Sequence, residues 1–187
     1  AMAFPTPQSP EAIDFSSLEQ YISAKTKMIC LCNPLNPTGK VFTKDELKSL
    51  GEMAIKHDLI ILSDEIWSDI IFAPHAFTSI ASIDEEIKKR TITITGFSKS
   101  YGLAALRVGA VFCPDASSYS KIFETSMHAS TVHGCNVAGQ IAATAALDEC
   151  GEWLASFVAH LQEMRDLCVD GLNSIKGISC IAPQGCY

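Results

Sequence analysis

The chain has 187 residues, 48% of them hydrophobic and 19% charged, which is long and apolar enough to bury one substantial core. A formal charge of −7 without clusters of lysine or arginine argues against nucleic acid and anionic membrane surfaces as partners. No apolar stretch reaches the ~18–20 residues of a membrane span, and no basic-then-apolar leader opens the chain, so a cytoplasmic protein is expected.

Ala1-Met2-Ala3 reads as a cloning remnant and the Pro-rich stretch 4–10 as a linker, which places residues 1–13 outside the folded domain. Phe15, Leu18 and Ile22 are spaced three and four apart and predict a short helix over about 16–24. Met28 to Cys32 reads as a buried strand, and Asn33-Pro34-Leu35-Asn36-Pro37-Thr38-Gly39 then breaks regular structure. Thr43 followed by Glu46 forms a capping box. It opens a helix of about fifteen residues by pattern, with Leu47, Leu50, Met53, Ala54 and Ile55 on its apolar side. A second buried strand covers 59–63, with Asp64-Glu65 at its carboxyl end.

Thr91-Ile92-Thr93-Ile94-Thr95 is a third strand and 109–113 a fourth, closed by Pro114. Helices are predicted over about 117–127, 137–147 and 152–175, and a further strand over 178–181. The eight cysteines, at positions 30, 32, 113, 135, 150, 168, 180 and 186, contain no Cys-x-x-Cys pair. They are expected to be reduced and mostly buried, with no metal site. Short apolar strands alternating with helices indicate an α/β fold with a mostly parallel central sheet. In such folds ligands bind at the carboxyl ends of strands, and Asn36, Asp64 and Lys99 all fall just past a predicted strand end.

The densest signal is the run Gly96-Phe97-Ser98-Lys99-Ser100-Tyr101-Gly102-Leu103-Ala104-Ala105-Leu106-Arg107-Val108-Gly109. A lysine amine can form a Schiff base with an aldehyde. The preceding hydroxyl of Ser98 and the planar fork of Arg107 suit a phosphate, and the glycines allow close backbone approach.

This run resembles the lysine signature of the class I/II aminotransferases, the fold-type I enzymes that use pyridoxal 5′-phosphate. Asn36-Pro37-Thr38-Gly39 resembles the Asn-Pro-x-Gly loop of that family, and Ser63-Asp64-Glu65-Ile66 its aspartate segment. The resemblance implies a three-layer α/β/α large domain that is incomplete here. Residues 14–180 would be a partial cofactor-binding domain, and 181–187, with Pro183-Gln184-Gly185-Cys186-Tyr187, the start of a C-terminal small domain.

It also implies site roles. Lys99 would be the Schiff-base lysine that carries a proton between the substrate Cα and the cofactor, and Asp64 the partner of the pyridine nitrogen. Asn36 would donate to the 3′-oxygen, and Ser98 and Arg107 would bind the phosphate. The implied reaction is transamination between an amino acid and a 2-oxo acid, in a parent enzyme that is a homodimer. The chain alone is expected to bind the cofactor weakly and to be inactive.

One position departs from the pattern. Many aminotransferases place a tyrosine three residues after the aspartate, where this chain has Trp67, an N–H donor without a hydroxyl. The segment Asp64-Glu65-Ile66-Trp67-Ser68-Asp69 looks more like the cystathionine β-lyase (C–S lyase) branch, which is the alternative activity. A non-catalytic domain that keeps the fold is the alternative of another class.

Overall fold

The structure, a computed structural model, describes residues 15–131 and 133–187; the linker expected over 1–13 lies outside them. Four strands form one sheet in the order β1-β2-β3-β4: β1 Met28–Cys32, β2 Ile60–Asp64, β3 Thr91–Gly96 and β4 Gly109–Phe112. The first three are parallel and β4 runs antiparallel to β3, so the expected mostly parallel sheet carries an antiparallel edge.

The β-branched and apolar runs explain the strands, and their alternation explains the layering. Leu31, Ile61, Ser63, Thr91 and Thr93 point to a covered face, while Met28, Cys30 and Ile60 point to an open one. The covered face packs on α1, Lys44–Lys56, and α2, Glu85–Lys88. Leu47, Leu50, Met53 and Ala54 of α1 form a core with Phe15, Leu18, Leu59, Ile61, Ile80 and Ile87. Helix α1 begins as the sequence requires: the Glu46 amide donates to the Thr43 hydroxyl at 3.3 Å, and the Thr43 amide donates to the Glu46 carboxylate at 2.8 Å.

The expected helix over 16–24 is a 3₁₀ helix, Phe15–Tyr21, pinned to the end of α1 where Lys56 donates to Glu19 at 2.9 Å. After β4 come α3 Ala116–Thr125, α4 His128–Thr131, α5 Val137–Glu149 and α6 Gly151–Asn173. A second core forms where Leu154, Phe157, Val158 and Leu161 of α6 pack on Trp67, Ile70, Phe72 and Cys186.

Two expectations are corrected. No strand forms over 178–181: Ile178 and Ile181 are exposed, and the chain next pairs only at the isolated bridge between Ile71 and Gly185. An apolar run without a neighbouring strand has nothing to bond its backbone to. The cysteines are not mostly buried either. All eight are free, and Cys186 alone is buried, because Cys30 lies on the open face of the sheet and Cys135 and Cys168 lie on exposed backbone. Among the described residues no helix is long and apolar enough to cross a membrane, and no cluster of His, Cys, Asp or Glu is set to hold a metal ion.

Candidate active site

The carboxyl ends of the parallel strands carry the residues singled out from the sequence. Cys32, Asp64 and Ile94 lie side by side in register across β1, β2 and β3. Asp64 is half-buried at the last position of β2, and one of its carboxylate oxygens accepts from the Ile66 amide at 3.1 Å. That bond turns the chain sharply after the strand, as a short carboxylate side chain commonly does. The turn delivers Trp67 into the second core.

Lys99 reaches the same place from β3. Its Nζ lies 4.8 Å from the centre of the Trp67 ring. Two thiols lie nearby, Cys32 in register with Asp64 and Cys186 in the cluster around Trp67. Burial pushes the Cys186 thiol up to about 12, with Cys32 adding to the shift and the Lys99 ammonium opposing it. Burial likewise raises the Cys32 thiol, and the Asp64 carboxylate beside it adds to the effect. The Lys99 amine therefore meets the segment that follows Asp64 at the carboxyl edge of the sheet, where it faces Trp67.

Ser98 and Arg107 come together by a route the sequence did not show. β3 and β4 are antiparallel, and their last registered pair is Gly96 with Gly109. Ser98 lies two residues past that pair and Arg107 two residues before it, so they flank the mouth of one closed loop. Arg107 is exposed and adopts a left-handed backbone (φ 56°) at the end of a short 3₁₀ turn, Ala104–Leu106. That turn is held by the Asn136 side chain, which donates to the Leu106 carbonyl at 2.7 Å while its oxygen caps α5 at the Gly139 amide. Among the described residues Arg107 and Lys99 have no carboxylate partner within 4.0 Å. Neither the Arg107 guanidinium nor the Lys99 amine is thus tied up by a carboxylate of the described residues.

Asn36 is exposed at the tip of the loop after β1. The base of that loop is closed by a bridge between Leu35 and Lys40 and fixed in two directions. The buried Lys40 ammonium pairs with Glu46 of α1 at 2.9 Å and lies over the Phe42 ring. On the other side the Gly39 carbonyl accepts from the amides of Gln184 and Gly185 at 2.9 Å each. Asn33, at the loop's start, is buried: its side chain donates to the Thr78 carbonyl and accepts from the Phe42 amide.

Sequence reasoning missed the supporting shell. Ser100 is fully buried and its hydroxyl donates to Asp69, tying the lysine loop to the segment after Asp64. The Tyr187 hydroxyl donates to the Lys99 carbonyl at 3.3 Å, and its ring meets Trp67 edge-on at 4.9 Å. Tyr101 stacks on Trp153 of α6, which stacks on Phe157. Aromatic residues and serines were legible as types, but partners 88 residues apart leave no local pattern. Glu65, next to Asp64, faces the covered side and accepts from the hydroxyls of Ser79 and Ser63 at 2.7 and 2.9 Å. Burial pushes its carboxyl above the usual range against the pull of those two hydroxyls. It is a structural carboxyl, while Asp64 is the one at the open edge.

The chain resembles known proteins in both sequence and fold. It is 32% identical over 170 residues to the aspartate aminotransferase of Geobacillus stearothermophilus, covering 91% of this chain and 42% of that protein. It is 31% identical over 153 residues to the cystathionine beta-lyase PatB of Bacillus subtilis (strain 168), covering 81% and 39%. The crystal structure of cystalysin from Treponema denticola, which contains pyridoxal 5′-phosphate, superposes with a TM-score of 0.88 at 29% identity, over 94% of this chain and 45% of that one. The chain spans less than half the length of these relatives. The family described as aminotransferase class I and II matches residues 2–187, and the chain belongs to that family.

Proposed function

We propose that this chain supplies the cofactor-binding half of a pyridoxal-phosphate-dependent aminotransferase that acts on an amino acid and a 2-oxo acid. The observation that carries the reading is the meeting of Lys99 with the segment that begins at Asp64, where the amine lies 4.8 Å from the Trp67 ring. The donor set fits the group: a half-buried carboxylate, an amine without a carboxylate partner among the described residues, and a serine–arginine pair at one loop mouth. When bound, pyridoxal phosphate supplies an electron-withdrawing ring that accepts the charge released as a bond to an amino acid's Cα breaks.

The chain's own groups have distinct tasks in this reading. Lys99 would hold the cofactor through its aldehyde, and its amine would be placed to take and return the substrate Cα proton. Asp64 would be the partner of the pyridine nitrogen and would help keep a proton there. The exposed Asn36 amide donates to the ring oxygen, and Ser98 and Arg107 bind the phosphate, the arginine through its fork. Residues 14–180 form the cofactor-binding part in this reading, and 181–187 lead into a further domain. With less than half the length of the relatives, the chain by itself is expected to hold the cofactor weakly and to turn over little.

The test is covalent capture. Pyridoxal phosphate added to the chain, followed by borohydride reduction and peptide mass spectrometry, should place the label on Lys99 ahead of the exposed lysines. Lys99→Arg should abolish that label, and Arg107→Ala should weaken capture of pyridoxal phosphate while leaving pyridoxal unaffected. Equal labelling of all lysines would overturn the reading. A second reading, β-elimination from a thioether amino acid, is favoured by Trp67 in place of a hydroxyl donor and by the likeness to PatB. In the longer parent enzyme, pyruvate and thiol from cystathionine would mark elimination, and a new 2-oxo acid would mark transamination.

A further inference from the structure

We infer that Trp67 is a positioning residue: its indole face is the platform that holds the Lys99 side chain at the sheet edge. The inference rests on the cofactor reading above. The Lys99 Nζ lies 4.8 Å from the ring centre, inside the ~6 Å over which an aromatic face attracts an ammonium, and indole is the strongest such face. Among the described residues no carboxylate lies within 4.0 Å of that amine. Asp64 is close in the fold, but its carboxylate is turned to the Ile66 amide. The ring face is therefore a direct attraction on the lysine head.

The platform itself is rigid. Trp67 is buried, with Ile70, Phe72 and Cys186 around it and Phe157 and Leu161 of α6 against that cluster. Tyr187 meets it edge-on at 4.9 Å with the planes at 81°, the arrangement that aromatic quadrupoles favour. The same Tyr187 donates its hydroxyl to the Lys99 carbonyl, so one residue braces the ring and the lysine backbone together. A flexible four-carbon stem is thereby kept from sampling most of its rotamers.

The chemistry of the platform differs from that of a hydroxyl at the same position. A hydroxyl can donate to a neutral amine and compete for its lone pair. A ring face attracts the cation and makes no bond with the lone pair. It holds the lysine head in place without occupying the nitrogen lone pair. The order of effect is set by side chain: indole strongest, phenyl intermediate, aliphatic none.

The experiment uses the 187-residue chain labelled with [13Cε]lysine and its Trp67→Phe and Trp67→Leu variants. Without any added ligand, the Lys99 Cε–H signal, assigned by its loss in Lys99→Arg, should lie upfield of the other lysines. It should move part of the way back in Trp67→Phe and fully in Trp67→Leu. Should Trp67→Leu fail to fold, the Phe variant carries the same test through its graded signal shift. A Lys99 signal among the other lysines, or a Lys99 signal that does not move in a folded Trp67→Leu, would overturn the platform. Absence of capture at Lys99 in the unsubstituted chain would instead overturn the cofactor reading on which the platform's role depends.

Discussion

Two neighbouring carboxyl groups, Asp64 and Glu65, end up on opposite faces of the sheet because side chains alternate along a strand. Asp64 stands half-buried at the open edge and binds only the Ile66 amide. Glu65 is buried, with hydroxyls from Ser63 and Ser79 on one oxygen. Burial raises its carboxyl above the ordinary value of 4.5, so the folded chain holds this proton to a higher pH than the unfolded chain does. Folding stability from Glu65 is then greatest below 4.5 and falls as pH climbs toward its raised folded value, since the folded state binds more protons across that window. Glu65→Gln keeps an acceptor for both serines without an ionisable group. Urea unfolding should show the natural chain losing stability relative to Glu65→Gln as pH rises from about 4.5 to 7. Parallel pH profiles for the two chains would refute a buried, proton-holding role.

At the scale of elements, most strands and long helices were legible because their signals are local. The capping box at Thr43 and Glu46 starts α1 where the pattern said, and the β-branched run gives β3. Asn36 and Lys99 sit just past a strand end, as read from the sequence, whereas Asp64 is the last residue of its strand. What was not legible depends on distant partners. Lys40 carries no local sequence signal of its place, yet it is 2% exposed and paired with Glu46. The strand expected over 178–181 had the composition of a strand but no neighbour.

The loop that carries Asn36 illustrates both sides. Its glycine was visible, but the reason for it is a contact made 144 residues later in the chain. Gly39 has a φ of +69°, and a Cβ there would sit 2.4 Å from the Pro183 side chain and 2.5 Å from the Gly185 carbonyl. Gly102, in the lysine loop, has nearly the same φ, +67°, but open space around it. Alanine at either position costs about 1–2 kcal/mol for the left-handed backbone. At Gly39 it must also push the 183–185 segment away. Gly102→Ala is therefore expected to lower the melting temperature by roughly 2–8 °C, and Gly39→Ala by distinctly more. Equal losses in calorimetry would mean that the contact with Pro183 and Gly185 is not what requires the glycine.

At the scale of the whole molecule, the sheet is dressed on one side. Helices α1 and α2 cover β1 to β3, and α6 covers the carboxyl edge near Trp67. The opposite face leaves Met28 and Ile60 exposed, and β4 is bare on both faces, with Val111 50% and Phe112 60% exposed. Val111 pairs with Ile94 on the open face, while Phe112 pairs with Thr93 on the covered one but lies beyond the reach of the covering helices. Apolar area of this kind on a folded chain takes up hydrophobic dyes and drives association. An edge strand with free backbone groups does the same.

A loosened core would also bind dye, so the two causes must be separated. Replacing Val111 with Thr and Phe112 with Ser removes apolar surface that supports no core and keeps a β-branched residue in the strand. The double variant should bind less anilinonaphthalene sulfonate and scatter less light at the same concentration, with near-ultraviolet circular dichroism and melting temperature unchanged. Dye binding that persists in the variant would place the exposed apolar surface elsewhere. A fall in melting temperature would show that β4 contributes to a core after all.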